Sequence, residues 1–259
     1  MTVESRLKLR RSNILVIGTL AGLSALAWAG LAWQSTQTNA MGGFTMGMTA
    51  PLFIVTWTVM MAAMMLPSAA PMFLMFARIT RKKTRPGRIS AAEWIFGAAY
   101  LLIWTAFGVL GYFAAEWADS LSGSNSWLMA NGARVAGGLL IVAGVYQATP
   151  LKQACLRSCR SPLAFILTSW RPGYAGALRM GVHHGLLCTG CCWLLFAILF
   201  PLGMANIGVL AAVTAFIFAE KVLRRGREIG YAGAAALICY GLVVVFDPAA
   251  FPGMTMINT

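Results

Sequence analysis

Seven apolar runs divide this sequence, at about 13–33, 51–76, 93–115, 130–148, 180–203, 207–222 and 230–246. Most approach the ~20 residues a helix needs to cross ~30 Å of hydrocarbon. In lipid no water satisfies the backbone, so each run must pair its own N–H and C=O groups and is expected to be helical. Of 259 residues, 59% are hydrophobic and only 10% are charged, against roughly 25% charged in a soluble domain. A soluble enzyme domain, a disordered chain and a small disulfide scaffold are excluded on that ground. The expected fold class is all-α: a polytopic transmembrane helical bundle of about seven spans, with 1–259 forming a single integral membrane domain. The sixth run is short and follows the fifth with almost no loop. Five spans with a re-entrant hairpin are therefore the alternative.

The formal net charge is +13. In a soluble chain that excess would suggest nucleic acid as a partner, but its placement suggests a membrane. Nineteen of the twenty basic residues fall on alternate connections: Arg6–Arg11, Arg78–Arg88, Lys152–Arg179 and Lys221–Arg227. Arg134 is the exception, and the loop 34–50 has no charge. Positive residues gather on the cytoplasmic side, so the N-terminus is expected inside and the C-terminus outside. The first run exceeds the usual core of a signal peptide and reads as an uncleaved anchor. No nucleic-acid partner is expected, and no lysine lies within the last run to hold a retinal as a Schiff base.

Five of the six cysteines cluster with both histidines between positions 155 and 192, on the expected inner side. Cytosolic thiols stay reduced, so grouped cysteines there bind metal or do redox work more often than they form bridges. Cys155 and Cys159 are four apart. His184, Cys188, Cys191 and Cys192 fall within roughly 100° of one helical face. Thiolates with one imidazole suit Cu(I) or Zn(II), whereas hard cations want oxygen ligands. One helix cannot wrap an ion with consecutive-turn ligands, so Cys155 or Cys159 must fold back against the fifth run, or a second chain must contribute. Cys239, alone in the last run, reads as a small packing hydrophobe, and His183 as an interfacial side chain.

Methionine is abundant at 15 residues. Met60, Met61, Met64, Met65, Met72 and Met75 share the second run, and Met41, Met46 and Met48 precede it in the uncharged loop. Thioethers ligate Cu(I) and not hard ions, although methionine also fills irregular gaps between helices. Pro67 and Pro71 are expected to kink or break the second run. Glu93 reads as a solvated flank. Glu220 and Lys221 read as an ion pair at the inner interface, or Glu220 as an inward carboxylate. Gln147 is expected to face the bundle interior.

Three stretches resemble the DUF2182 family of predicted metal-binding integral membrane proteins of bacteria. They run from Met60 through Met61-Ala62-Ala63-Met64-Met65-Leu66-Pro67 to Ser68, across 150–162 with Lys152, Cys155 and Cys159, and across 181–193 with His183, His184, Gly185, Cys188, Gly190, Cys191 and Cys192. The resemblance covers about 43–222 and implies a multi-pass protein of the bacterial inner membrane. It marks Met61, Met64, Met65, Pro67, Lys152, Cys155, Cys159, His184, Gly185, Cys188, Gly190, Cys191 and Cys192 as motif positions.

These readings give an expected function: a membrane protein that binds a soft metal for transport or delivery. The metal is expected to be copper as Cu(I), with zinc as the alternative. The expected ligands are Cys155, Cys159, His184, Cys188, Cys191 and Cys192, with Met61, Met64 and Met65. The partners are the lipid bilayer, the metal ion, and a metallochaperone or membrane-complex partner. No phosphate-binding loop is visible, so no ATP-driven step is expected and no enzymatic activity is assigned. A membrane thiol redox protein and a non-catalytic assembly subunit with a structural metal site remain as alternatives.

Overall fold

The computed structural model describes residues 3–37, 44–45, 47–80, 89–204 and 206–251. Met41, Met46, Arg81, Lys82, Lys83, Arg85 and Arg88 lie outside these residues. The regular structure of the described residues is helical: α1 (Val3–Gln37), α2 (Ala50–Thr80), α3 (Ala91–Ser124), α4 (Ser126–Ala148), α5 (Pro150–Arg160), α6 (Pro162–Ser169), α7 (Gly173–Ala197), α8 (Leu199–Leu202), α9 (Ile207–Val222) and α10 (Gly226–Phe246). Among the described residues, six stretches are long and apolar enough to cross a membrane: Asn13–Thr36, Ala50–Thr80, Ala91–Ser124, Ser126–Ala148, Gly173–Leu202 and Gly226–Phe246. The seventh apolar helix, α9, has 16 residues, about 24 Å of rise, and falls short of a full crossing.

Local chemistry sets the helix boundaries. Ser90 caps α3 by accepting from the Glu93 N–H, and its own hydroxyl donates to Glu93 Oε1 at 3.0 Å. This reciprocal cap buries Glu93, correcting the expectation of a solvated flank. Asn125 starts α4 by accepting from the N–H groups of Trp127 and Leu128, and Asn206 starts α9 through the Val209 N–H. Thr149 caps α5, with Pro150 in its first turn.

The expected break in the second run does not occur: α2 continues through Pro67 and Pro71. Pro67 lacks the N–H that would bond the Ala63 carbonyl four residues earlier. Ser24 of α1 donates to that carbonyl at 2.7 Å. The freed acceptor is satisfied from the neighbouring helix, and α2 stays intact.

Helix directions follow from paired contacts. Ser24 meets Ala63 and Gln34 meets Thr56, so α1 and α2 are antiparallel. Thr58 meets Thr105 and Thr80 meets Glu93, so α2 and α3 are antiparallel. Gly181 approaches Phe96 and Ala99 while Gly185 approaches Tyr100 and Ile103, so α3 and α7 run parallel. Gly137 lies against Gly241 and Val245, and Gly144 against Ala234 and Ile238, which makes α4 and α10 antiparallel. Glu220 approaches Gly230 and Phe216 approaches Gly233, so α9 opposes α10. The chain therefore runs alternately between two ends, α9 included. The connections carrying Lys152–Arg179 and Lys221–Arg227 share the end where α3 begins.

Outward-facing side chains are largely apolar, among them Leu26, Leu110, Phe113 and Phe246. Trp33, Trp117 and Trp127 are exposed at the end opposite the basic connections, as in an interfacial aromatic belt. The interior holds Met60, Met61, Met64, Met65, Met72, Trp57, Phe96, Tyr100 and Trp104 in one cluster with Cys188, Cys191 and Cys192.

Candidate metal centre

Two helices bring the thiols together. On α7, Gly181 and Gly185 face α3 so closely that a Cβ would stand 2.5 Å from the Phe96 carbonyl and 2.9 Å from Ile103 Cβ. That approach places Cys188, three residues past Gly185, beside α3, where Tyr100 Oη is 3.1 Å from its Sγ. On α5, Lys152, Cys155, Leu156 and Cys159 form one face by helical spacing, and Lys152 and Leu156 are buried.

Three sites fix α5. Lys152 Nζ donates to Glu220 of α9 at 2.6 and 2.7 Å and also to Gln147 Oε1. Cys155 packs on Gly190, where a Cβ would lie 3.2 Å from its sulfur. The Arg160 guanidinium donates to the carbonyls of Leu223 and Arg224 just beyond the end of α9.

The result is a cluster of three sulfurs. The Sγ atoms of Cys159, Cys188 and Cys191 lie within 4.8 Å of one another. Cys188 and Cys191 are fully buried and Cys159 partly so. Cys192 Sγ is 3.1 Å from Cys191 Sγ, and the Cys191 thiol donates to the Cys188 carbonyl. Hydrogen bonding to the Cys188 sulfur, together with burial, pushes the Cys159 thiol well above its ordinary value. Burial, then the neighbouring Cys192 sulfur, pushes Cys155 up. The cluster is level with the ends of α4 and α9, because Tyr146 donates to the Gly190 carbonyl and Lys221 Nζ donates to Cys188 Sγ at 3.0 Å. It lies at the basic-side ends of α4 and α9 and partway along the longer helix α7.

The sequence-predicted residues sort as follows. Cys159, Cys188 and Cys191 converge. Cys192 touches Cys191, and Cys155 lies against α7 outside the three-sulfur group. His184 is one turn before Cys188, buried among the rings of Phe96, Tyr100 and Phe165 at 6.1, 5.3 and 5.6 Å. Neither of its ring nitrogens has a hydrogen-bond partner. Met61, Met64 and Met65 are wholly buried on α2. The α2–α3 pairs at Trp57–Trp104 and Phe73–Tyr100 bracket them at the depth of Tyr100. Cys239 is exposed on α10 rather than packed inside, and His183 is exposed, with its Nδ1 3.4 Å from Ser169 Oγ.

Glu220 and Lys221 do not pair with each other: Glu220 holds Lys152 and Lys221 holds Cys188. Glu220 is thus the inward carboxylate of the alternative reading, and Gln147 is buried as expected. Sequence reasoning missed Tyr100 and Lys221 as neighbours of the thiols. The signal was present: Phe96, Tyr100 and Trp104 repeat every four residues, and Leu210, Ile217 and Lys221 share a helical face.

The fold and site define a class: an apolar helical bundle with a buried thiol cluster, whose soft donors fit a soft metal ion and not a hard one. A family model described as PpoB2, copper chaperone, matches residues 54–244, and the chain belongs to that family. None of the curated proteins matches the chain, and none of the solved structures does.

Proposed function

We propose that this protein is a multi-pass carrier of the bacterial inner membrane that takes up Cu(I) at its cytoplasmic mouth and hands it on. The observation that carries this reading is the meeting of three cysteine sulfurs from α5 and α7 within 4.8 Å, in a chain that belongs to a copper chaperone family. Copper is the cargo. Thiolates suit Cu(I) by softness, and a three-sulfur group suits its low coordination number, whereas Zn(II) takes four ligands in structural sites.

The residues divide the work by exposure. Cys159 is partly buried and Cys188 and Cys191 are fully buried, so Cys159 receives the ion from a donor and the inner pair retains it. Cys192 and Cys155 flank the group as exchange partners. His184, with both ring nitrogens unpartnered, supplies a further soft-metal donor one turn away. Met61, Met64 and Met65 offer thioethers on the onward path through α2. A polar cavity of about 570 Å³ beside α5, lined by Arg157, Arg160 and Arg227, gives an anionic metallochaperone a face to approach. The basic connections at this end support a cytoplasmic setting for it. A thiol redox reading is weaker, because fully buried thiols are poorly placed to meet a partner thiol.

The test is Cu(I) titration of the purified full-length protein against a Cu(I) chelator. Cys159→Ser, Cys188→Ser and Cys191→Ser should each weaken binding at least tenfold, with Cys239→Ser unchanged. Equal binding by all four variants would refute the site.

A further inference from the structure

Lys221 has an unusual position for a cation next to a metal site. It is buried at the end of α9, and its Nζ donates to Cys188 Sγ at 3.0 Å. The nearest carboxylate in sequence, Glu220, does not neutralise it, because both Glu220 oxygens accept from Lys152 at 2.6 and 2.7 Å. Those two buried charges cancel. The ammonium of Lys221 therefore faces the sulfurs as a fixed positive charge.

We infer that Lys221 sets the charge selectivity of the thiol site, favouring a monovalent over a divalent soft ion. This rests on the reading of the cluster as a Cu(I) site. Repulsion between a fixed cation and a bound metal scales with the charge of the metal, so Zn(II) experiences twice the repulsion of Cu(I) at the same thiolate count. A metal bound to Cys188 would stand about 4–5 Å from the ammonium. At an effective dielectric of about 20, the extra unit charge corresponds to roughly a 300- to 1,000-fold preference for the monovalent ion. Thiol softness alone does not supply this discrimination, since thiolates also bind zinc well. Lys221 touches the ligand and not the cargo, so it is a specificity-determining residue and not a ligand.

The experiment measures Cu(I) and Zn(II) affinities of the full-length protein in detergent by chelator competition, for wild type, Lys221→Gln and Lys221→Arg. Wild type should prefer Cu(I), Lys221→Gln should lose roughly 300- to 1,000-fold in the Cu(I):Zn(II) ratio, and Lys221→Arg should keep the ratio within a few fold. Lys221→Leu, apolar and suited to burial, replaces the glutamine variant if that one cannot be extracted folded. An unchanged ratio in the neutral variant overturns the inference. So does an equal loss of both metals that arginine fails to restore, which would make Lys221 a spacer. Wild type that binds no Cu(I) would instead defeat the copper reading itself, so the two failures are distinguishable.

Discussion

Glu220→Gln should detach α5 from α9 and open the thiol cluster. Lys152 and Glu220 have side chains with no exposed surface, so the pair belongs to the buried class and not to surface pairs, whose worth is about 0–1 kcal/mol. Glutamine keeps the volume but leaves the Lys152 ammonium in the interior with only amide oxygens to accept from it. Removing one partner of a buried pair costs about 3–5 kcal/mol, because the remaining charge is uncompensated. For a chain of this size that corresponds to a fall of about 6–20 °C in the unfolding midpoint. The loss should be local first, since α5 is otherwise held by Cys155 on Gly190 and by Arg160 on the end of α9. Alkylation with a maleimide, resolved by mass spectrometry for each cysteine, should then show Cys159 reacting at least tenfold faster than in wild type, while Cys239 keeps its rate. The double variant Lys152→Met, Glu220→Leu removes both charges and should recover most of the midpoint. An unchanged midpoint together with an unchanged Cys159 rate in Glu220→Gln would show that the pair does not hold α5 in place.

Other perturbations test other parts of the structure. Ser24→Ala removes the donor to the Ala63 carbonyl freed by Pro67 and should lower stability by about 1–3 kcal/mol, read as an earlier midpoint in detergent. Gly137→Leu forces a side chain where even a Cβ would stand 2.9 Å from the Gly241 carbonyl, so α4 and α10 should separate and the yield of folded protein should fall sharply, whereas Leu at Gly138, which has open space, should be tolerated. Met61→Leu with Met65→Leu should reduce Cu(I) loading or movement and leave zinc binding unchanged. Leucine keeps the volume at a packing cost below ~1.5 kcal/mol, so unchanged copper handling would mean that the stripe only packs.

The apolar runs were legible because an apolar stretch of spanning length can satisfy its backbone groups away from water only as a helix. The run 207–222 has the same limits as α9, whereas α3 extends nine residues beyond the run that marks it, through Glu116 and Asp119 to Ser124. An apolar run ends where polar residues begin, but a helix can continue past that point. The short helices α5 and α6 lie in the basic connection between the fourth and fifth runs, and neither is long enough to mark a span. The helix runs on unbroken through Pro67 because Ser24, 43 positions earlier, takes up the freed carbonyl, which no local pattern reveals. Spacing on α7 brought out Cys188 and Cys191 and required either Cys155 or Cys159 to fold back or a second chain to contribute. Which cysteine joins is a tertiary matter: Cys159 reaches the group, and Cys155 fills the notch at Gly190. The exchange of partners between Glu220 and Lys221 is likewise set by α5 and α7, not by their adjacency in sequence.

Copper-edge X-ray absorption on full-length protein loaded with one equivalent of Cu(I) tests the central claim most directly. The account predicts coordination by two or three sulfurs with the ion in the Cu(I) state. It also predicts loss of sulfur scattering in the triple variant Cys159→Ser, Cys188→Ser, Cys191→Ser, while Cys239→Ser gives the wild-type spectrum. A spectrum dominated by oxygen or nitrogen ligands, or one unchanged by the triple variant, would contradict it.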